Sequence, residues 1–204
     1  ERERADHDRG HASEDREASA RQRDEAGHDR DVALHDRAAS ADERALDALD
    51  ALTGAYLRGP GLAELDRELA RADRTGEPLT VVFVDVDGLK QTNDVQGHAA
   101  GDALLRRVAD ALRSCLRASD VLLRYGGDEF VCVLAGSDRE QALVLAGRVE
   151  AHLDAGGSGA SVSLGLSERE PGDAAETMVA RADAELYRGR TRRRQARNDP
   201  GPRG

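Results

Sequence analysis

Apolar residues beyond position 50 recur with two periods, and the shorter one predicts β-strands. The near-continuous branched run LTVVFVDVD at 79–87 predicts a central strand that is buried on both faces. Two apolar runs joined by RYGGDE predict a β-hairpin over 121–134, in which the glycine pair supplies the positive φ of a tight turn. GASVSLGLS predicts a further strand at 159–167.

Segments with apolar residues at helical spacing alternate with these strands. A first helix begins at Pro60 and is ended by Gly76 and Pro78, ahead of the long strand. Three more segments carry helical spacing, at 99–119, 138–155 and 173–190. The element order from 79 to 166 is therefore β-α-β-β-α-β. We predict an α+β fold: a ferredoxin-like, palm-type βαββαβ antiparallel sheet with flanking helices.

The first 49 residues follow a seven-residue repeat instead. Arg stands at every seventh position, namely 2, 9, 16, 23, 30, 37 and 44. Such a repeat predicts one long N-terminal helix, either a coiled coil with a seam of small residues or a single solvated, partly disordered helix. We therefore divide the chain into a charged heptad-repeat helix or linker at 1–49, a globular domain at 50–194 and a flexible tail at 195–204.

Composition narrows the classes of function. A formal net charge of −10 and a pI near 5.1 argue against a nucleic-acid groove as the main surface. Cys115 and Cys132 are too few for a disulfide scaffold, and Cys132 lies among apolar neighbours, which predicts a buried, reduced thiol. No stretch approaches the ~20 apolar residues of a membrane helix. We expect a soluble, cytoplasmic chain without membrane contact.

Carboxylates are predicted to converge at one edge of the sheet. Asp85 and Asp87 end the first long strand, and the hairpin beside it carries Asp128 and Glu129. These acids would repel one another strongly without a cation, and a small set of oxygen ligands suits Mg²⁺. Turn and helix caps would explain one or two of these acids but not their convergence. The sequence therefore predicts a site for Mg²⁺ or Mn²⁺.

Polar residues downstream of the first strand suit a nucleotide. The stretch KQTNDVQGHAAGD supplies Lys90, Asn93, Asp94, His98 and Asp102. An Asp and an Asn can together read guanine, because the carboxylate accepts from N1–H and the amino group while the amide donates to O6 or N7. Asp102 also suits the first turn of a helix, where the dipole favours an acid, and the two roles are compatible.

The motifs in combination resemble the GGDEF family of diguanylate cyclases. They are RYGGDEF at 124–130, DVDGLKQTNDVQGHAAGD upstream, SVSLG and ARADAELYRGR downstream, and DALTGAYLR at the start. The resemblance covers residues 50 to about 194. It implies condensation of two GTP into cyclic di-GMP and two pyrophosphates, by attack of a 3′-hydroxyl on an α-phosphate. It also implies a homodimer in which each subunit holds one GTP.

The resemblance assigns roles to individual residues. Asp85 and Asp128, helped by the Val86 carbonyl, correspond to the metal ligands. Asp128 or Glu129 would assist deprotonation of the 3′-hydroxyl, and the sequence leaves that choice open. Asn and Asp side chains would read guanine, while backbone and basic groups would face the triphosphate. The substrate-binding set comprises Gly88, Leu89, Lys90, Asn93, His98, Asp102, Arg190 and Arg194.

A second site is implied by RASD at 117–120. Arg117 and Asp120 have the spacing of the family's product-binding inhibitory motif, R-x-x-D, and Arg148 matches a second arginine used there in some members. The simpler interpretation of the tetrapeptide is an ion pair at a helix end, worth about 0–1 kcal/mol. Its position just before the hairpin favours the inhibitory site.

Several positions depart from the family pattern. Leu57 replaces an Asn in the opening motif, Leu89 a Phe, Thr92 an Ile, and Arg190 a Lys. Arg for Lys keeps the charge but changes its geometry. Because no metal or guanine residue is lost, we expect an active cyclase. The alternatives are an idle module that binds cyclic di-GMP or GTP, a purely structural dimerisation domain, and a cyclase that makes cyclic mononucleotides.

Overall fold

The structure, a computed structural model, describes residues 47–157 and 159–198. Nearly all of the predicted heptad helix and the last six residues of the predicted tail lie outside these ranges. Five strands are present: β1 Tyr56–Leu57, β2 Leu79–Val86, β3 Val121–Arg124, β4 Glu129–Ala135 and β5 Val162–Glu168. The helices are α1 Arg58–Thr75, α2 Leu89–Gln96, α3 His98–Cys115, α4 Arg139–Ala155 and α5 Ala175–Asn198.

The strands form one sheet in the order β1-β3-β4-β2-β5. All neighbours pair antiparallel except β1 and β3, which are parallel. The predicted α+β fold and its βαββαβ core are confirmed. Strand β1 was not predicted, because two residues are too short to show a strand period and its pairing with β3 is a long-range contact.

Strand β2 lies inside the sheet and is covered on both faces, as its sequence predicts. Val82, Val84 and Val86 face a cluster built with α3 and α4, while Val81 and Phe83 face a second cluster built with α1 and α5. All five side chains are at most 2% exposed. Because successive side chains alternate, β2 packs between two apolar layers. This packing fixes the position of its polar carboxyl end.

Helix α1 ends where the sequence predicts, and α4 begins at a side-chain cap. Gly76 ends α1 in the left-handed region, with φ 72°, as glycine does at helix C-termini. Asp138 caps α4: its carboxylate accepts from the Gln141 N–H, and the Gln141 side chain accepts from the Asp138 N–H. None of the helices in the described ranges is long and apolar enough to span a bilayer.

Two helices differ from the prediction. Residues 89–96 form the separate helix α2, which ends where Gly97 takes φ 84° and the chain turns into α3. Its polar composition shows no apolar stripe, so periodicity did not reveal it. Helix α5 continues to Asn198, beyond the predicted end at 190. Arg-rich sequence has high helix propensity, and this favours continuation.

Both cysteines are buried, free thiols, as expected for Cys132. Burial raises the pKa of Cys132 to about 12, with smaller contributions from Asp120 and Cys115. A thiol with such a pKa stays protonated at neutral pH, so it contributes packing rather than reactivity.

Helix α5 approaches the sheet most closely at Gly165 of β5. A Cβ atom at that position would lie 2.2 Å from the Ala182 carbonyl oxygen and 2.4 Å from the Leu186 nitrogen. Only glycine permits this contact between backbones. The close approach holds the next turn of α5, which carries Arg190, near the carboxyl end of β2.

We predict that Gly165→Ala lowers the free energy of unfolding by about 1–3 kcal/mol, because the added methyl collides with backbone atoms that cannot rotate away. Urea unfolding followed by circular dichroism measures the change. Gly147→Ala is the matched control: Gly147 is an exposed residue inside α4 with nothing near its missing Cβ. Gly147→Ala should raise the free energy of unfolding by about 0.5–1 kcal/mol. Equal urea midpoints for the two variants would contradict the predicted backbone collision at Gly165.

Candidate active site

Three carboxylates lie together at the carboxyl end of β2. Asp85 is the register partner of Glu129, the first residue of β4, across the antiparallel pair. Asp128 immediately precedes Glu129, and its backbone carbonyl accepts a hydrogen bond of 2.9 Å from the Val86 N–H. All three acids are half-buried. The pairing of β2 with β4 therefore brings Asp85, Asp128 and Glu129 to the same edge.

Mutual repulsion within this group is visible in its electrostatics. Burial raises the pKa of Glu129, and the negative charges of Asp128, Asp85 and Asp183 raise it further, while Arg58 opposes them. Asp183, on α5, also contributes, and sequence reasoning missed it although it lies within the ARADAELYRGR motif. The carboxylates thus form a region of negative potential that favours a cation.

The glycines of the turn do not act as predicted. Neither Gly126 nor Gly127 lies in the left-handed region, so the expectation of positive φ was wrong. The Tyr125 and Gly126 N–H groups both donate to the Glu129 carbonyl, at 2.8 and 3.2 Å, which closes the turn without a left-handed residue. A Cβ at Gly126 would lie 2.3 Å from Glu129 Oε2. Gly126 therefore makes room for a carboxylate, and Gly127 leaves exposed backbone.

Asp87 is held by hydroxyl groups, and its carboxylate lies close to that of Asp85, since one Arg190 nitrogen donates to both. Strand β2 ends at Val86, and the Asp87 carboxylate accepts hydrogen bonds from the hydroxyls of Ser163, at 2.8 Å, and Ser161, at 3.0 Å. The Asp87 N–H also donates to the Ser161 carbonyl. These contacts join Asp87 to the start of β5 and account for it without a bound ion.

Arg190 connects α5 to both aspartates. Its Nη2 donates to Asp85 Oδ1 at 2.5 Å and to Asp87 Oδ1 at 2.8 Å. Hydrogen bonds to Asp85 and Asp87 and the charges of both acids raise the pKa of Arg190, against the opposing effect of burial. Arg190, expected to face a triphosphate, lies here against carboxylates. Arg194 belongs to the same helix, and its side chain is outside the described part of the chain.

The donor chemistry at the edge fits a hard divalent cation that shares its coordination. Asp85, Asp128 and the Val86 carbonyl offer oxygen atoms only, the type that Mg²⁺ and Mn²⁺ prefer. Across residues 47–157 and 159–198, no three His, Cys, Asp or Glu side chains are arranged to hold a metal ion by themselves. A cation here would need further ligands from water or a phosphate.

The two predicted guanine readers lie on adjacent helices. Asn93 on α2 packs against α3 at Gly101, where a Cβ would lie 2.0 Å from Asn93 Oδ1. Asp102, the next residue of α3, is half-buried, as is Asn93. Gly101 therefore permits the close contact between the two helices and brings Asn93 beside the turn that carries Asp102.

Four other predicted substrate residues lie at the starts of these two helices: Gly88, Leu89, Lys90 and His98. Gly88 precedes α2 in the left-handed region, with φ 76°, and its carbonyl accepts from the Thr92 N–H. Leu89 is half-buried and packs against the core, whereas Lys90 and His98 are exposed. An exposed ammonium and a free helix start are accessible to a ligand in solution.

A cavity of about 400 Å³ lies beside this region but does not include the guanine readers. Asp87, Gly88 and Thr92 line one part of it, and Arg107 lines another. Asn93 and Asp102 are absent from its walls. Among the predicted nucleotide residues that the structure describes, Gly88 alone lines this cavity, and we assign the cavity no role.

A buried ion pair, which sequence reasoning missed, holds the GGDEF turn. Arg124 Nη1 donates to both carboxylate oxygens of Asp50 at 3.1 Å, and its Nη2 donates to the Gly127 carbonyl at 2.7 Å. Burial alone would raise the pKa of Asp50, but hydrogen bonds from Thr53 and the charge of Arg124 outweigh it and lower the pKa. Asp50 and Arg124 are 74 residues apart, and no local pattern in the sequence pairs them.

The three residues predicted for an inhibitory site line one cavity of about 160 Å³. Arg117, Asp120 and Arg148 lie there beside Val144 and Leu145. The Arg117 backbone N–H, and not its guanidinium, donates to Asp120 Oδ2 at 2.8 Å. Asp120 Oδ1 is buried with no hydrogen-bond partner among the described residues. The arrangement leaves an acceptor and two arginine side chains directed to one cavity.

Comparisons with known proteins point to one family. The chain matches the family described as diguanylate cyclase, GGDEF domain, over residues 47–196. Diguanylate cyclase DosC of Escherichia coli (strain K12) is 41% identical over 105 residues, covering 50% of this chain and 23% of DosC. Response regulator PleD of Caulobacter vibrioides is 34% identical over 163 residues, covering 74% of this chain and 36% of PleD. The chain thus spans only about a quarter to a third of these relatives.

A solved structure supports the same relationship. The coiled coil and GGDEF domain of DgcB from Caulobacter crescentus, in complex with c-di-GMP, superimposes with a TM-score of 0.68 at 28% identity. The match covers 82% of this chain and 94% of that one.

We predict that Asp50 and Arg124 are strongly coupled in stability. A double-mutant cycle with Asp50→Asn and Arg124→Gln, measured by urea unfolding, should give a coupling of about 1–3 kcal/mol, because both side chains are more than four-fifths buried. Glu64→Gln with Arg67→Gln is the control cycle, since the Arg67 side chain of that i,i+3 pair on α1 is 72% exposed. It should give about 0.2–1 kcal/mol, and a coupling no larger for Asp50 and Arg124 would rule out a structural tie.

Proposed function

Because the chain belongs to the GGDEF family of diguanylate cyclases, we propose that it condenses two GTP molecules into cyclic di-GMP and two pyrophosphates. The observation that carries the proposal is the convergence of Asp85, Asp128 and Glu129 at the edge where β2 and β4 end. A domain that only dimerises has no use for three mutually repelling, half-buried acids, whereas phosphoryl chemistry requires them.

Asp85, Asp128 and the Val86 carbonyl would hold Mg²⁺ or Mn²⁺. When bound, the cation would neutralise charge on the phosphates and make the 3′-hydroxyl easier to deprotonate. The β2–β4 register keeps the two aspartates at the same strand ends, and the Asp128 carbonyl is fixed by the Val86 N–H. The strand pairing would therefore keep these oxygen donors in position before the nucleotide arrives.

Either Asp128 or Glu129 would take the proton from the attacking 3′-hydroxyl. Both are half-buried at the turn, and Gly127 beside them is open to solvent. The space that Gly126 leaves for the Glu129 carboxylate fixes that side chain against the turn. The hydroxyl would approach over backbone that carries no side chains.

Asn93 and Asp102 would read the guanine base, and basic groups would hold the triphosphate. The contact of Asn93 with Gly101 limits the movement of the amide, so that its donor and the Asp102 carboxylate can face one base edge. Lys90, Arg190 and Arg194, with the backbone of Gly88 and Leu89 and with His98 at the start of α3, would surround the phosphates.

Product formation requires two subunits, because each holds one GTP and each 3′-hydroxyl attacks the α-phosphate of the other. The two subunits would form a homodimer, assembled through the heptad repeat of residues 1–49. The similar DgcB structure contains a coiled coil together with its GGDEF domain. Cyclic di-GMP would then inhibit its own synthesis by binding to Arg117, Asp120 and Arg148 in the cavity that they line.

In the presence of Mg²⁺, we expect the protein to convert GTP into a product with the mass of cyclic di-GMP. Chromatography with mass spectrometry identifies the product. Asp128→Asn and Glu129→Gln should each lower the rate at least about 100-fold, because each removes a carboxylate assigned to the cation or to the proton transfer. Asp110→Asn, at an exposed position on α3, is the control and should leave the rate unchanged.

Full activity in Asp128→Asn would refute the proposed function. A protein that binds cyclic di-GMP in a calorimetric titration but produces none would be an idle binding module instead. A product with the mass of a cyclic mononucleotide would assign the chain to another class of cyclase.

We predict that Arg117→Ala weakens binding of cyclic di-GMP at least about tenfold, because the ligand loses a charge-assisted hydrogen bond in a partly enclosed cavity. Isothermal calorimetry measures the affinity, and the rate of product formation without added product should stay the same. Arg106→Ala, an exposed arginine of α3 outside that cavity, is the control. Equal loss of affinity in both variants would indicate a general charge effect rather than a site.

A further inference from the structure

Arg190 is bound to the same carboxylate that the proposed function assigns to a cation. Its guanidinium donates to Asp85 and Asp87, and the Asp85 side chain is only 19% exposed. A guanidinium on Asp85 and a divalent cation both require negative charge at that carboxylate. Two positive groups cannot share one half-buried oxygen without strong repulsion, so their binding to Asp85 is competitive.

Asp87 provides a second anchor that is independent of Asp85. Hydrogen bonds from Ser161 and Ser163 fix its carboxylate, and it accepts from Arg190 at 2.8 Å. When Asp85 is taken by a cation, Arg190 can therefore keep its contact with Asp87 and remain near the phosphates. The planar guanidinium, with five N–H donors, is suited to exchange one partner while keeping another.

We propose that Arg190 keeps a divalent cation from binding to Asp85 until a nucleoside triphosphate arrives. The phosphates offer the guanidinium a new partner, Asp85 is released, and the cation and the nucleotide enter together. The inference rests on the proposed function and adds to it a rule for the order of binding: the cation alone binds weakly, and the nucleotide increases its affinity. The coupling is reciprocal, because each ligand removes the same obstacle for the other.

The test measures binding of Mn²⁺, through the electron paramagnetic resonance signal of the free ion, with and without a GTP analogue that has a methylene bridge between the α- and β-phosphorus atoms. Arg190→Gln removes the competing charge and should increase the affinity for Mn²⁺ alone by about 5- to 150-fold, the usual range of coupling between two ligands. In that variant the analogue should improve Mn²⁺ affinity by a correspondingly smaller factor than in the wild type.

Three further variants separate this role from a structural one. Arg190→Lys keeps the charge and should stay close to the wild type. Arg188→Gln, an exposed arginine on the same helix, should leave Mn²⁺ affinity unchanged. Asp87→Asn weakens the anchor of Arg190 without touching an assigned metal ligand, and should also increase affinity for Mn²⁺ alone. Loss of a merely structural contact would weaken metal binding in Arg190→Gln, the opposite direction.

The outcomes separate the competition at Asp85 from the proposed function. Unchanged or weaker binding of Mn²⁺ alone by folded Arg190→Gln and Asp87→Asn would overturn the competition while leaving the proposed function standing. Absence of Mn²⁺ binding by every variant, even with the analogue, would overturn both. Tighter binding in Arg190→Gln and Asp87→Asn, but not in Arg188→Gln, supports the competition whether or not product is formed.

Discussion

Repulsion among carboxylates at the end of β2 is the constraint on which the rest of the site depends. Asp85 and Glu129 are register partners, and Asp128 lies next to them. Two like charges about 4 Å apart near a protein surface cost about 4 kcal/mol. Each fully buried Val or Phe contributes about 1.5–3 kcal/mol, and β2 alone carries five such side chains. Apolar burial therefore outweighs the repulsion and holds the register that brings the acids together.

The structure offsets the remaining charge with groups that come from distant parts of the chain. Arg190 reaches Asp85 because α5 lies directly against β5 at Gly165, where no side chain separates the two backbones. Arg124 connects Asp50 to the Gly127 carbonyl and so holds the turn that carries the acids. The carboxylates are thus kept in place by packing on one side and by arginine contacts on the other. That combination is rigid, and it leaves one charged partner, Arg190, that a ligand can displace.

Strand β4 connects the proposed active site with the proposed inhibitory cavity. Glu129 begins the strand, and Leu134, five residues later, lines the cavity with Arg117, Asp120 and Arg148. At a rise of about 3.4 Å per residue the two positions are about 17 Å apart. A ligand in that cavity would therefore not contact the acids. The two sites could then be altered separately by substitution.

The sequence by itself determined the element order and the buried central strand, because strand period and a short hairpin act over a few residues. The meeting of Asp85 with Asp128 and Glu129 followed from that order, which places the first long strand beside the hairpin. The resemblance to the family also indicated the group Arg117, Asp120 and Arg148. Only the tertiary structure decided the parallel pairing of β1 with β3, the partners of Arg124 and Arg190, and the role of Gly126 as room for a carboxylate. Asp50 and Arg124 are 74 residues apart, and Asp85 and Arg190 are 105 apart. Contacts of that kind depend on how remote elements pack, which no local pattern encodes.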